Sequence, residues 1–336
     1  MKAIIPVAGA GTQLRPLTYT QPKALIPMAG KTILSVIVDQ LRDAGVDDFV
    51  FVVGYLGDKI QRYIAQTYPA LKATFVHQTE RLGTGHAIHL TKQAVGDAEV
   101  LIVLGDTIAD YSVRELLAAG ISQIAIRKVD DPRAFGVAEL DDANRVTRVV
   151  EKPVIPRSNM AMVGIYYIRE TAALFDALGN DLNEQRADGT EYHLTAALQR
   201  MIESGVAFEG FRVTNWFDCG KKETLLTTNA TLLRQQADDH ALPDAAHVAR
   251  RYENTVIIPP VSIAEGCTIR HSIIGPNVTI GEHTSITDAI VKQSIIGAYA
   301  ELREVVLHSS IIGSDAFVRG LSQSLNIGDN TEIDLG

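Results

Sequence analysis

The chain has 336 residues, 46% hydrophobic and 21% charged, which is ample for a sizeable apolar core, and the length favours two domains over one. A formal charge of −9 argues against general nucleic-acid binding, which needs a basic surface for the phosphates. No run of about 18 apolar residues exists, and the start of the chain is too short and too broken by Pro6 and glycines for a secretory signal, so a cytoplasmic protein without a membrane partner is expected. Cys219 and Cys267 are the only cysteines, lack a Cys-x-x-Cys partner and read as reduced structural thiols.

In chain order, Ala3, Ile4 and Ile5 predict a buried strand that stops at Pro6. A loop built on Gly9 and Gly11 follows. Glycine permits positive φ and a close ligand, so a short strand feeding a Gly-x-Gly-Thr loop aims several N–H groups at one spot, where an anion belongs. The dinucleotide fingerprint does not fit, because Leu14 stands where its third glycine is needed and the acidic residue further on is missing. A P-loop ending in Gly30-Lys31-Thr32 fails too, since Leu25 replaces its first glycine. Ile33, Val36, Ile37, Gln40 and Leu41 then lie at helical spacing, and Gly45 stops the helix after Ala44.

Further on, Phe49–Gly54 reads as a strand, Asp58–Thr67 as a helix, Thr74–Val76 as a strand and Gly85–Val95 as a helix. Val100–Leu104 is a strand ending at Gly105-Asp106. Such alternation predicts a parallel sheet with helices on both faces and the ligand at the carboxyl ends of the strands. The Gly9 loop and Asp106 therefore share a cleft. Ile124–Arg127, Gly136–Leu140, Val146–Glu151 and Met160–Ile168 are strand-like, Asp141–Asn144 is a turn, and a helix begun near Glu191 runs to Ser204.

After Gln235 the pattern changes. A polar connector spans residues 236–253, and from Asn254 onward Ser-Ile-Ile-Gly occurs at Ser272, Ser294 and Ser310, with intervals of 22 and 16 residues that differ by six. An aliphatic residue recurring every six or so positions is the hexapeptide pattern of a parallel β-helix. Three segments are thus expected: a nucleotide-handling domain 1–235, the connector 236–253 and a β-helix 254–336.

Gly9-Ala10-Gly11-Thr12, Arg15-Pro16-Leu17-Thr18, Pro22-Lys23, Leu25, Pro27 and Lys31 together resemble the signature of the sugar-1-phosphate nucleotidylyltransferases. With the terminal repeats, the chain is most similar to the long glucose-1-phosphate thymidylyltransferase type. That resemblance implies an α/β, Rossmann-like mixed or parallel sheet followed by a short left-handed parallel β-helix. The implied reaction is attack by a sugar-1-phosphate oxygen on the α-phosphorus of a nucleoside triphosphate, with release of pyrophosphate and Mg²⁺ as cofactor.

The resemblance assigns roles residue by residue. Asp106 and Asp218 match the metal-binding aspartates, and hard carboxylate oxygens suit Mg²⁺. Lys23 matches a lysine on the nucleotide phosphates, Lys152 one on the sugar phosphate, and Glu151, Gly136, Gly164 and Glu191 positions around the sugar. Ala8, Gly9, Gly11, Thr12 and Gln13 fall on the phosphate loop. Gln78, Gly83 and Thr84 resemble the segment that reads a pyrimidine; an amide offers the donor and acceptor an imide edge requires, so dTTP or UTP is expected.

One departure matters. Gln13 stands where the family has arginine, and an uncharged donor makes weaker bonds to phosphate. Arg15 is the expected substitute. The same departure motivates a second reading, a non-catalytic regulator that binds nucleotide sugar. A third is a bifunctional N-acetylglucosamine-1-phosphate uridylyltransferase, with His271, His283 and His308 as bases on the β-helix. His86 and His89 read as packing histidines, and a homo-oligomer is expected.

Overall fold

Lys2–Pro6, Asp48–Val53 and Val100–Val103 are apolar runs with side chains buried on both faces, the pattern of parallel strands covered on either side. The computed structural model, which describes residues 1–183, 191–243 and 245–320, pairs all three in parallel, with Lys72–His77 on the outer side of Asp48–Val53. They are part of a 9-stranded sheet. Its order runs Val146–Glu151, Gly136–Leu140, Met160–Ile168, Val100–Val103, Lys2–Pro6, Asp48–Val53, Lys72–His77; Ser122–Lys128 branches from Met160–Ile168 and pairs in turn with Phe208–Arg212. The parallel expectation holds for the first half and for the pair Phe208–Arg212 with Ser122–Lys128, but not throughout. Met160–Ile168 runs antiparallel to Val100–Val103, with Ile165 opposite Val103, and turns the sheet mixed.

The helices follow from the local sequence. Thr32 caps Ile33–Asp43 by accepting the Ser35 N–H on its hydroxyl, and Ile33, Leu34, Ile37, Val38 and Leu41 form the buried stripe. The helix expected over Gly85–Val95 is two, Thr84–His89 and Lys92–Val95. Between them the buried Thr91 hydroxyl donates to the Ile88 carbonyl at 2.7 Å, a local bond that competes with helix continuation.

By packing, the chain forms two units, residues 1–26 with 31–228, and residues 27–30 with those from 229 onward. The position taken above as the domain boundary, residue 235, lies within the helix Lys222–Asp238. Inside the second unit, Asn229 is fully buried; its Oδ1 accepts from Ala29 N at 2.9 Å and from Thr279 Oγ1 at 2.7 Å. Gln236 Nε2 donates to Ala29 O at 2.9 Å, so the short Pro27–Gly30 segment is tied there by side chains rather than by its own sequence.

From Val256 the strands stack in three parallel sheets, the β-helix of hexapeptide rungs. Ile274 pairs with Val291, 17 residues on, and Ile296 with Ile312, 16 on, so one coil is 16 or 17 residues. The repeat intervals are thereby explained: 16 returns to the same face one coil later, and 22 advances one coil and one face. Ile274, Ile280, Ile286, Val291, Ile296 and Leu302 fill the interior. The serine of the repeat works between coils. Ser272 Oγ accepts from Ala289 N and Ser294 Oγ from Ser310 N, each at 3.1 Å, while donating to the carbonyls of Arg270 and Lys292 at 2.6 Å. Among the described residues no helix is long and apolar enough to cross a membrane.

Ser294→Ala leaves the Ser310 N–H and the Lys292 carbonyl without these partners. Denaturant titration is expected to show a loss of about 1–3 kcal/mol in the stability of the β-helix unit.

Candidate active site

The strands Lys2–Pro6 and Val100–Val103 end side by side, and each runs into a loop that carries chemistry. After Pro6 the chain turns through Gly11, whose φ is 60°, and the Thr18 hydroxyl donates to its carbonyl at 2.7 Å. A Cβ on Gly11 would lie 3.0 Å from Thr18 and 3.2 Å from Lys23, so only glycine lets the loop close over both. The N–H groups from Ala8 to Thr12 make no hydrogen bond among the described residues. They remain available to an anion.

After Val103, Asp106 faces this loop. Lys23 Nζ donates to Asp106 Oδ2 at 2.5 Å, joining residues 83 apart in the chain. Asp218 arrives on Trp216–Asp218, which pairs antiparallel with Thr107–Ala109 so that Asp218 stands opposite Thr107. The Cys219 N–H donates to the Asp106 carbonyl at 3.0 Å. Burial raises the Asp218 carboxyl above its usual range and the negative charge of Asp106 raises it further, with Lys23 offsetting only part. Burial also pushes the Cys219 thiol up to about 12, leaving it inert.

Two cavities meet here. One, of about 430 Å³, is walled by the chain from Pro6 to Thr12, Lys23, Arg81, Gly83 and Asp106. The other, of about 270 Å³, is walled by Gly136, Glu151, Lys152, Gly164, Trp216 and Asp218, again with Asp106. Thr84, Leu104 and Glu191 also line both. In the second cavity Thr195 Oγ1 donates to Glu151 Oε2 at 2.6 Å, and Trp216 stands edge-on to Phe135 at 4.7 Å.

Most sequence-predicted residues therefore converge: Ala8, Gly9, Gly11, Thr12, Lys23 and Gly83 on one cavity, Gly136, Glu151, Lys152, Gly164 and Asp218 on the other, with Thr84, Asp106 and Glu191 common. Gln13 and Arg15 line neither cavity. The Arg15 guanidinium lies 4.9 Å over the Tyr19 ring. Arg81, which no motif singled out, lines the phosphate-loop cavity and stacks 5.5 Å from the Tyr55 ring. Gln78 is 8% exposed and lies behind Gly83, whose carbonyl it bonds.

The pair Asp106 and Asp218 suits a hard divalent cation. Burial and the neighbouring Asp106 charge raise the cost of ionising Asp218, the lysine beside them compensates only partly, and Mg²⁺ takes one or two carboxylates while keeping oxygen positions for phosphates. On the β-helix, His271 and His283 occupy corner positions with φ of 47° and 54°. His271 Nδ1 lies 3.5 Å from Asp288, His283 stacks on Tyr299 with centroids 5.1 Å apart, and His308 Nδ1 lies 3.0 Å from Ser309 Oγ.

Residues 2–235 match the nucleotidyl transferase family. The chain belongs to that family. Residues 242–334 match the GlmU-like C-terminal hexapeptide family. Low-salt glycan biosynthesis nucleotidyltransferase Agl11 of Haloferax volcanii is 30% identical, over 90% of this chain and 94% of the relative. Glucose-1-phosphate thymidylyltransferase of Streptomyces antibioticus is also 30% identical, over 91% and 89%. The solved structure of a UDP-glucose pyrophosphorylase complexed with UDP-glucose shares the fold, with a TM-score of 0.61 at 23% identity, over 70% of this chain and 98% of that one. The chain is accordingly an enzyme of the nucleotidyl-transferring type.

The arginines separate in a simple experiment. Arg81→Ala is expected to raise the KM for nucleotide about 10–100-fold, the size of a lost hydrogen bond to a charged group, and Arg15→Ala to leave it unchanged. Steady-state kinetics on both variants checks this.

Proposed function

We propose that the enzyme transfers a nucleoside monophosphate from dTTP or UTP to a sugar-1-phosphate, with glucose-1-phosphate the first sugar to test. The observation that carries this is the sharing of Asp106 by two cavities, one rimmed by unbonded N–H groups and Lys23, the other holding Lys152 beside Glu151. Two anionic substrates bound there would meet at one carboxylate.

In this reading the loop from Ala8 to Thr12 cradles the triphosphate while Lys23 and Arg81 offset its charge. Lys152 holds the sugar phosphate, and Glu151, fixed by Thr195, accepts from a ring hydroxyl. A phosphate oxygen of the sugar-1-phosphate attacks the α-phosphorus, an O–P bond forms, and the bond to the bridging oxygen breaks as pyrophosphate leaves. Mg²⁺ held by Asp106 and Asp218 would screen the crowded phosphates and withdraw charge from the α-phosphoryl group. Lys23 would exchange its bond to Asp106 for one to phosphate, carrying positive charge to where negative charge builds. Among the described residues no helix is long and apolar enough to cross a membrane, and Cys219 and Cys267 are both free, which fits a cytoplasmic site of action.

Pyrophosphate release with Mg²⁺, glucose-1-phosphate and dTTP, UTP, GTP or ATP tests the reading. Release with dTTP or UTP above the purines is expected, and equal release from all four would sink the base assignment. Lys23→Ala and Asp218→Asn are each expected to lower kcat about 10²–10³-fold in the same assay, the typical cost of one transition-state stabiliser.

The match of residues 242–334 to the GlmU-like family supports a second reading, acetyl transfer on the β-helix with His271, next to Asp288, as base. Thiol release from acetyl-CoA and glucosamine-1-phosphate, lost in His271→Ala, would establish it.

A further inference from the structure

Gln78 is not free to turn its amide. Its Nε2 donates to the Gly83 carbonyl at 3.1 Å and lies 3.1 Å from His86 Nδ1. A carbonyl oxygen only accepts, so the first contact fixes which end of the amide carries the hydrogens. The second contact then requires Nδ1 to be a bare acceptor. With Nδ1 an acceptor, the neutral ring carries its one proton on Nε2, and burial disfavours a second.

With both amide hydrogens committed, Oε1 is what Gln78 has left. That oxygen bonds to nothing among the described residues and is not one of their buried unpaired polar atoms, so it is the atom that meets solvent. Gly83, which lines the phosphate-loop cavity, has an N–H that is likewise unbonded. Its φ is 101°, and a Cβ there would lie 2.6 Å from Tyr192 O, so the backbone is held against Tyr192 with no side chain in the way.

We propose that His86 is a positioning residue for base selection: it holds the Gln78 amide with Oε1 outward, so that one acceptor and the Gly83 N–H donor face the nucleobase. Uracil and thymine complement that pair with an N3–H and the adjacent carbonyl. Cytosine does not, because its N3 is an acceptor and meets Oε1 oxygen to lone pair. The inference rests on the reading of Gln78 and Gly83 as the base contacts.

Equilibrium titration of UTP and CTP into the wild type, His86→Leu, His86→Gln and Gln78→Leu tests it, with a melting curve for each. The wild type prefers UTP. In His86→Leu the amide is released and the UTP-to-CTP affinity ratio falls about tenfold, the size of one net hydrogen bond. His86→Gln, whose carbonyl accepts the same N–H, keeps most of the ratio, which a merely structural histidine would not require. Should His86→Leu melt out, His86→Lys, which offers donors only, replaces it with the same expected fall. A ratio unchanged in the His86 variant but lost in Gln78→Leu overturns the positioning role and leaves the base contact standing. A ratio unchanged in Gln78→Leu overturns both.

Discussion

The site depends on two parallel strands ending level with one another. Ile4 stands opposite Ile102, so the loop after Pro6 and the loop after Val103 leave the sheet as neighbours, and Gly105 N closes on Pro6 O at 3.3 Å. Through that adjacency the glycine loop and Asp106 face one cleft. The same extension then recruits the second carboxylate, because Thr107–Ala109 is the edge to which Trp216–Asp218 pairs and the Asp106 carbonyl accepts the Cys219 N–H. Lys23 closes the group from a turn braced against Gly11. Three charged side chains from distant parts of the chain are thus placed by one end of one sheet.

A chain of net charge −9 binding two anions looks contradictory until the charge is read locally. The whole-molecule field sets solubility and encounter, whereas affinity for phosphate comes from groups within a few ångströms. Unbonded backbone N–H groups, Lys23 and Arg81 on one side and Lys152 on the other supply that local positive potential. Against them stand Asp106, Asp218, Glu151 and Glu191. Two phosphate esters added to four carboxylates would leave the cleft short of positive charge; Asp218 is raised already by its burial and, secondarily, by the charge of Asp106. A hard divalent cation held by Asp106 and Asp218 would remove that shortage.

What was legible in the sequence was whatever a short stretch dictates by itself. The strand-to-glycine turn, the aspartates at strand ends and the six-residue rhythm of the β-helix each follow from local chemistry, and each lies where that chemistry puts it. Direction was not legible: Met160–Ile168 is an apolar run that would be buried equally well either way, and its antiparallel course is set by what it pairs with. Nor could spacing choose between two arginines. Arg15 is near the loop in sequence but stacks on Tyr19, while Arg81, far from the loop in sequence, lines the cavity and stacks on Tyr55. The assignment of Pro27–Gly30 to the second unit was equally hidden, since it rests on Asn229 and Gln236, some 200 residues away.

Base preference shows where such reading stops and what would extend it. A glutamine is nearly symmetric, able to present an acceptor to uracil or a donor to cytosine, so its presence alone carries no preference. Preference comes from the other bonds of the amide. Here those bonds are made within nine residues: the Gly83 carbonyl five positions on and His86 three further. A strand end, a glycine that can take φ of 101° and a histidine in the first turn of the following helix bring them together, with the Tyr192 backbone packed against the glycine. If Gln78 reads the base as proposed, the motif that would distinguish one pyrimidine from another is the run from Gln78 to His86 as a unit, with the histidine as much a part of it as the glutamine.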